Sequence, residues 1–198
     1  MTSRISNGMR RITFDIETEG LFQGNGDFSN LEVTVVGVYD SATKKLTGYY
    51  KEDLPKLWPV LESADLLVGY NSDHFDIPIL NKYYAGDLTK FRSLDLLKEI
   101  KAVLGRRLKL DGIAEATLGK KKSGNGLDAV EWWKQGLKEK VMAYCLDDVA
   151  ITDELYRYAM KNKKLKYKDY DGIRDIKLDT SAWESEGDSP ALNHTLPF

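Results

Sequence analysis

Apolar and polar positions alternate with a period of two over residues 11–17, and residues 33–39 and 45–50 are rich in β-branched and aromatic side chains, so all three runs read as strands. Asp40-Ser41 opens the short connection between the second and third of these runs, so the three predict an antiparallel meander. The pattern then changes. Residues 53–63 read as a helix with Pro55 in the first turn, where a missing N–H does no harm. Residues 66–70 form a short, continuously apolar run of the kind that crosses the middle of a parallel sheet. Pro78 stands near the start of a helix running to about residue 84, and Leu94 centres a fifth short strand. Helices follow over 96–104, 112–118, 127–135 and 137–160. This order predicts one α/β domain over residues 11–160, with a five-stranded mixed sheet flanked by helices. Residues 1–10 form an N-terminal arm. Residues 161–198 form a charged, turn-rich, weakly periodic C-terminal extension that reads as a tail. There is no internal repeat.

Composition narrows the chemistry. With 198 residues, 42% hydrophobic and 30% charged, the chain has room for one domain with a real core. Its net charge of −2 conceals three basic clusters: Arg106, Arg107 and Lys109; residues 120–122; and Lys161, Lys163, Lys164, Lys166 and Lys168. Each reads first as a solvated face, and the first two also offer phosphate contacts. A single cysteine excludes an internal disulfide, and two histidines without a CxxC pair argue against structural zinc. Any metal site must then be made of oxygen ligands. No apolar run reaches the roughly 18 residues needed to span a bilayer, and the first residues lack the apolar stretch of a signal peptide. A cytoplasmic protein without a membrane partner is expected.

Three constellations carry chemistry. In Phe14-Asp15-Ile16-Glu17-Thr18-Glu19-Gly20, strand alternation sends Phe14 and Ile16 to the core and Asp15 and Glu17 to the opposite face. Two carboxylates about 7 Å apart on a rigid strand repel each other unless a cation sits between them. The plainer reading is two acids decorating the end of an exposed strand. The second constellation, residues 69–78, begins where the buried strand ends, the place where open α/β sheets gather ligands. Asp76 is either a ligand or an N-cap of the helix containing Pro78, Asn71 a contact or a turn residue, and His74 a solvated loop side chain. In the third, Val141, Tyr144, Cys145, Asp148, Thr152, Leu155 and Ala159 fall on one helical stripe. Asp148 lies in the middle of it, where a lone carboxylate would cost several kcal/mol unless protonated, paired or bound to metal. Tyr144 is one turn earlier on the same face, as a core aromatic or a partner of that acid, whereas Asp147 is rotated about 100° away toward solvent.

Together these segments resemble the DEDD 3′-to-5′ exonucleases of the ribonuclease H-like fold, tyrosine subtype. The resemblance rests on Asp15-x-Glu17, Asn71-x-x-x-Phe75-Asp76 and Tyr144-x-x-x-Asp148, spans residues 11–158, and is closest to family B DNA polymerase proofreading domains and small bacterial nucleases of the same branch. The histidine subtype would place His five residues before Asp148, where this chain has Ala143. The resemblance implies that Asp15, Glu17, Asp76 and Asp148 hold two divalent cations, Mg²⁺ or Mn²⁺. It further implies that Tyr144 orients the attacking water, that Asp15 bridges the ions, and that Glu17 also holds the terminal 3′ hydroxyl. Hard oxygen ligands and an in-line displacement agree with this assignment.

The expected activity is release of nucleoside 5′-monophosphates from 3′ ends of single-stranded nucleic acid, DNA ahead of RNA, in proofreading or repair. Substrate-side candidates are Leu21, Phe22, Asn71, Phe75, Arg106, Arg107 and Lys109, with core packing as the alternative for Leu21 and Phe22. Of the neighbouring Trp132 and Trp133, at most one can be deep, leaving the other to stack on a base. A catalytically silent nucleic-acid-binding module and a structure-specific endonuclease of the same fold are the alternatives. No polymerase or helicase module lies in these residues, so the chain works alone or as a subunit in trans. Residues 193–198 loosely resemble peptides that dock onto the sliding clamp, with Leu196 and Phe198 as anchors and Asn193 where that motif prefers Gln. The alternative is that they fold back onto the domain.

Overall fold

A computed structural model describes residues 9–20, 27–120 and 126–185. The chain runs β1 (Arg11–Glu19), β2 (Glu32–Asp40), β3 (Lys45–Tyr50), α1 (Leu54–Glu62), β4 (Leu66–Gly69), α2 (Asp76–Leu80), β5 (Ser93–Asp95), α3 (Leu96–Leu104), α4 (Leu110–Leu118), α5 (Gly126–Lys134), α6 (Lys138–Asn162), β6 (Lys164–Asp169) and β7 (Gly172–Lys177). The first five strands form one sheet in the order β3-β2-β1-β4-β5. The meander pairs antiparallel, and β4 and β5 then add in parallel beside β1. The expected five-stranded mixed sheet of a ribonuclease H-like fold is what the chain builds.

Helices cover both faces. Ile12, Phe14 and Ile16 of β1, with Val36 and Val38 of β2, pack under α1 and α2. Leu54, Leu57 and Leu61 give α1 its buried stripe, three or four residues apart as a helix face requires. On the other face, α6 crosses β1 and β2, and Val68, Ile100, Ile113, Leu155 and Tyr156 form a second core. Gly37 of β2 sits opposite Asp15 and lets α6 come close. A Cβ there would lie 2.9 Å from Val149 Cγ2 and 3.2 Å from Cys145 Sγ.

Two expectations need correction. The helix expected to run to about residue 84 ends at Leu80, because Asn81 turns its side chain to accept from the Leu88 N–H and a chain of tight turns follows. The expected tail also has structure: residues 164–177 form an antiparallel hairpin, and Leu165, Ile176, Leu178 and Trp183 are buried in the second core. The hairpin offers one apolar pair amid lysines, too little for the pattern to declare itself, and its burial comes from contact with α4 and α6.

Candidate active site

Strand alternation gives β1 a polar row beneath α6. Arg11 and Thr13 both donate to Asp153 Oδ1, at 2.7 and 3.2 Å, and Arg157 Nε donates to its other oxygen at 2.7 Å. That half of the row is structural, a buried acid satisfied by two guanidinium groups and a hydroxyl. Asp15 and Glu17 continue the row toward the open end of the sheet. Between Glu17 and Thr18 the pairing with β2 slips by one residue, a bulge of the sort that re-aims side chains at sites.

Cys145 packs against Asp15, its Sγ 3.4 Å from the backbone oxygen and 3.9 Å from Oδ2. Burial, reinforced by the charges of Asp15, Glu17 and Asp148, pushes the thiol far up, so it stays protonated and donates. Ligand atoms of Asp15, Glu17 and Cys145 all lie within 4.8 Å of one another. Asp15 and Glu17 offer carboxylate oxygens at this point, donors that suit a hard ion.

The second loop is built for close approach. A Cβ on Gly69 would lie 2.4 Å from Ser72 Oγ, and Asn71 takes a left-handed φ of 69°. Asp95, at the end of β5, accepts from Asn71 N at 2.8 Å, from Asp73 N at 3.2 Å and from Leu97 N at 2.9 Å, pinning the loop to the start of α3. Asp76 does not serve as the N-cap of α2. It is the helix's first residue, and its carboxylate reaches across to accept from the Ile16 N–H at 3.1 Å. Burial pushes its pKa up to about 7; the Ile16 N–H only partly offsets this, and the charges of Asp95 and Asp148 add to it.

From α6, Tyr144 and Asp148 are 3% and 5% exposed, while Asp147 faces solvent as its rotation requires. The Trp132 ring meets Tyr144 edge-on with centroids 5.8 Å apart, fixing the phenol. Asp15, Glu17, Asp76, Tyr144 and Asp148 thereby line one cleft of about 700 Å³, with Asn71, Phe75 and the α5 residues Leu127, Glu131 and Lys134 around it. A neighbouring cleft of about 890 Å³ shares Tyr70, Asn71, Leu127 and Tyr144 and adds Arg107 and Lys109.

The match to known proteins follows the same span. Residues 12–160 match the RNase H superfamily. The chain belongs to that superfamily. Among solved structures it is similar to the family B DNA polymerase from the hyperthermophilic archaeon Pyrobaculum calidifontis, with a TM-score of 0.62 and 20% identity over 80% of this chain and 25% of that one. This RNase H superfamily chain therefore spans about a quarter of the polymerase's length. No relative was found among curated proteins.

Not every candidate residue of this superfamily member reaches the cleft. Arg107 donates to the Asn71 side chain, but Arg106 turns away and lies 5.4 Å over the Tyr167 ring. His74 is exposed, edge-on to Phe28 at 5.7 Å. Trp132 and Trp133 are both half-buried, with Lys140 and Lys138 over their rings at 3.9 and 4.9 Å. Leu21, Phe22, Lys121, Lys122 and residues 193–198 lie outside the described residues. Asp95, Cys145 and the cleft-facing side of α5 were not anticipated. Asp95 caps α3 through the Leu97 and Lys98 N–H groups, a role that an aspartate just before a helix can signal, but its hold on Asn71, 24 residues away, is visible only in space.

Among the described residues no helix is long and apolar enough to cross a membrane.

Proposed function

We propose that this RNase H superfamily chain is a 3′-to-5′ exonuclease of the tyrosine type, acting on single-stranded nucleic acid with DNA preferred and releasing nucleoside 5′-monophosphates. One observation carries the reading: four carboxylates and a tyrosine from β1, α2 and α6 converge on a single cleft. The donor set suits two Mg²⁺ or Mn²⁺ ions held by Asp15, Glu17, Asp76 and Asp148, which when bound supply Lewis-acid stabilisation of the attacking and departing oxygens. Asp15 lines the cleft with its backbone oxygen and carboxylate steadied by the Cys145 thiol. Glu17 accepts from the terminal 3′ hydroxyl. Tyr144, its ring set by Trp132, holds the attacking water by its hydroxyl. Asn71 and Phe75 receive the terminal nucleotide at the rim, and Arg107 and Lys109 neutralise phosphates leading away from it. The likeness of the fold to part of a DNA polymerase supports DNA as the polymer and a role in proofreading or repair, alone or in trans.

The test uses 5′-labelled single strands of DNA and RNA with Mg²⁺, Mn²⁺ or EDTA. Shortening one nucleotide at a time from the 3′ end, abolished by EDTA and by a blocked 3′ terminus, is expected. Asp148→Ala should abolish hydrolysis while leaving the circular dichroism spectrum unchanged. Cleavage of a closed circle would favour an endonuclease, and undiminished cleavage by Asp148→Ala would overturn the mechanism.

A further inference from the structure

The lysine run after α6 is the part of the charge pattern that the cleft does not use. Alternation along the hairpin sorts it into two faces. Leu165 and Ile176, paired in register, are fully buried, and Tyr167 with its partner Arg174 stands on the same side. Lys164, Lys166 and Lys168 project from the other side of β6, with Lys177, Asp175 and Ile173 opposite them in register on β7. That outer face sets four lysines against one aspartate, and Asp175 is bound by Lys164 Nζ at 2.7 Å. Lys168 and Lys177 are exposed, Lys166 is half-exposed, and none of the three makes an ion pair among the described residues. At the hairpin's tip Tyr170 is fully in solvent, an open aromatic face of the kind on which bases stack.

The hairpin is also wired to the cleft. Two consecutive arginines face in opposite directions: Arg107 donates to Asn71 at the rim, and Arg106 lies over Tyr167 of β6. Thr117 of α4 fixes the strand at that point, accepting from Lys166 N at 2.9 Å and donating to Lys166 O at 3.1 Å. Basic groups thus stand both at the cleft rim, as Arg107 and Lys109, and on the outer face of the hairpin, as Lys164, Lys166, Lys168 and Lys177, while Arg106 packs over Tyr167 on the hairpin's other face. In a chain of net charge −2, such a face is complementary to a polyanion.

We infer that the outer face of the β6–β7 hairpin is a second nucleic-acid contact, which holds backbone phosphates of the strand upstream of the 3′ end being removed. The inference takes its substrate class from the exonuclease reading. Its consequence is length dependence, since a strand confined to the cleft cannot reach the hairpin.

The experiment compares full-length Lys166→Glu/Lys168→Glu with a charge-matched control, Lys44→Glu/Lys45→Glu, where the turn after β2 enters β3. Binding of fluorescein-labelled single strands of about 5 and about 30 nucleotides is followed by anisotropy in EDTA over a range of salt, so that no hydrolysis is needed. The hairpin variant should bind the long strand about 10-fold more weakly at ~0.1 M salt, with the salt slope reduced by roughly 1.4 for two lost phosphate contacts. The loss should grow with strand length. The control should match wild type, and Lys166→Arg/Lys168→Arg should restore binding at an unchanged melting temperature. In Mg²⁺ the same variant should raise KM for the long strand more than it lowers kcat. Equal binding of long strands by wild type and hairpin variant overturns the inference, as does wild-type preference for phosphatidylserine vesicles over oligonucleotides. Salt-sensitive binding that depends on the hairpin, without hydrolysis by wild type, supports the contact and instead sinks the exonuclease reading.

Discussion

Tyr144 is buried against Trp132 yet lines the cleft, so its ring and its hydroxyl do separable things. Tyr144→Phe keeps the packing and removes only the oxygen. A fall in kcat of about 10- to 1000-fold with an unchanged melting temperature is expected. An unchanged rate would leave Tyr144 a core aromatic and assign the water to another group. Asp76 makes a different prediction, about stability. Its folded-state pKa is raised from 3.8 to about 7 by burial, so the folded state holds a proton the unfolded state has lost. Its contribution is therefore full below about pH 4 and is lost as pH rises to about 7, becoming constant above that. In EDTA, thermal melts should show stability falling over that window, and Asp76→Asn should flatten the fall. Residue patterns alone left plainer readings open for Asp15, Glu17, Asp76, Tyr144 and Asp148, and it is the resemblance of their three motifs to the DEDD exonucleases that nominated them together. Cys145 and Asp95 were not nominated because their contacts bridge residues far apart in sequence, which no local pattern encodes.

At the scale of elements, the approach of α6 to the sheet decides where Tyr144 and Asp148 stand. Gly37 makes that approach close, since an added methyl would crowd Val149, Cys145 and Leu146 at 2.9 to 3.3 Å. Gly37→Ala should cost about 1–3 kcal/mol of stability through overpacking. It should also lower kcat by more than 10-fold, because the helix carrying two site residues must move and misplacement by about 1 Å costs on the order of 100-fold. Melting temperature and kcat measured on the same preparation check both. A stability loss with unaltered kcat would show that the helix absorbs the methyl without shifting the site. The strands and long helices were legible because each carries several periodic apolar positions, as α6 does from Val141 to Ala159. The hairpin was not legible. Leu165 and Ile176 are one buried pair in a lysine-rich stretch, and what makes them core is the surface of α4 and α6 beneath them.

At the scale of the whole molecule, the segment after the hairpin returns to where the sheet begins. Arg11 lies 4.3 Å over the Tyr156 ring, Tyr156 stacks on Trp183 with centroids 5.7 Å apart, and the Tyr156 hydroxyl donates to Glu184 at 2.7 Å. Arg11 NH1 is itself 3.9 Å from Glu184. Side-chain contacts thus hold residue 11 of the first strand beside residues 183–184. A flexible bridge of about 8 Gly and Ser residues spans roughly 16 Å and, put in place of residues 186–198 and 1–8, should join Ser185 to Met9. Reopened in the turn at residues 41–44, the rejoined fold of residues 9–185 should melt within about 5 °C of the original, because the contacts of Arg11 with Tyr156 and Glu184 already hold its two edges together. Circular dichroism melts of the permuted protein check this, and failure to fold would show that β2 and β3 must be covalently joined for the meander to form. Where this fold is cut would then be a matter of convenience, the break free to be placed on the side of the sheet where a label or a fused partner is wanted.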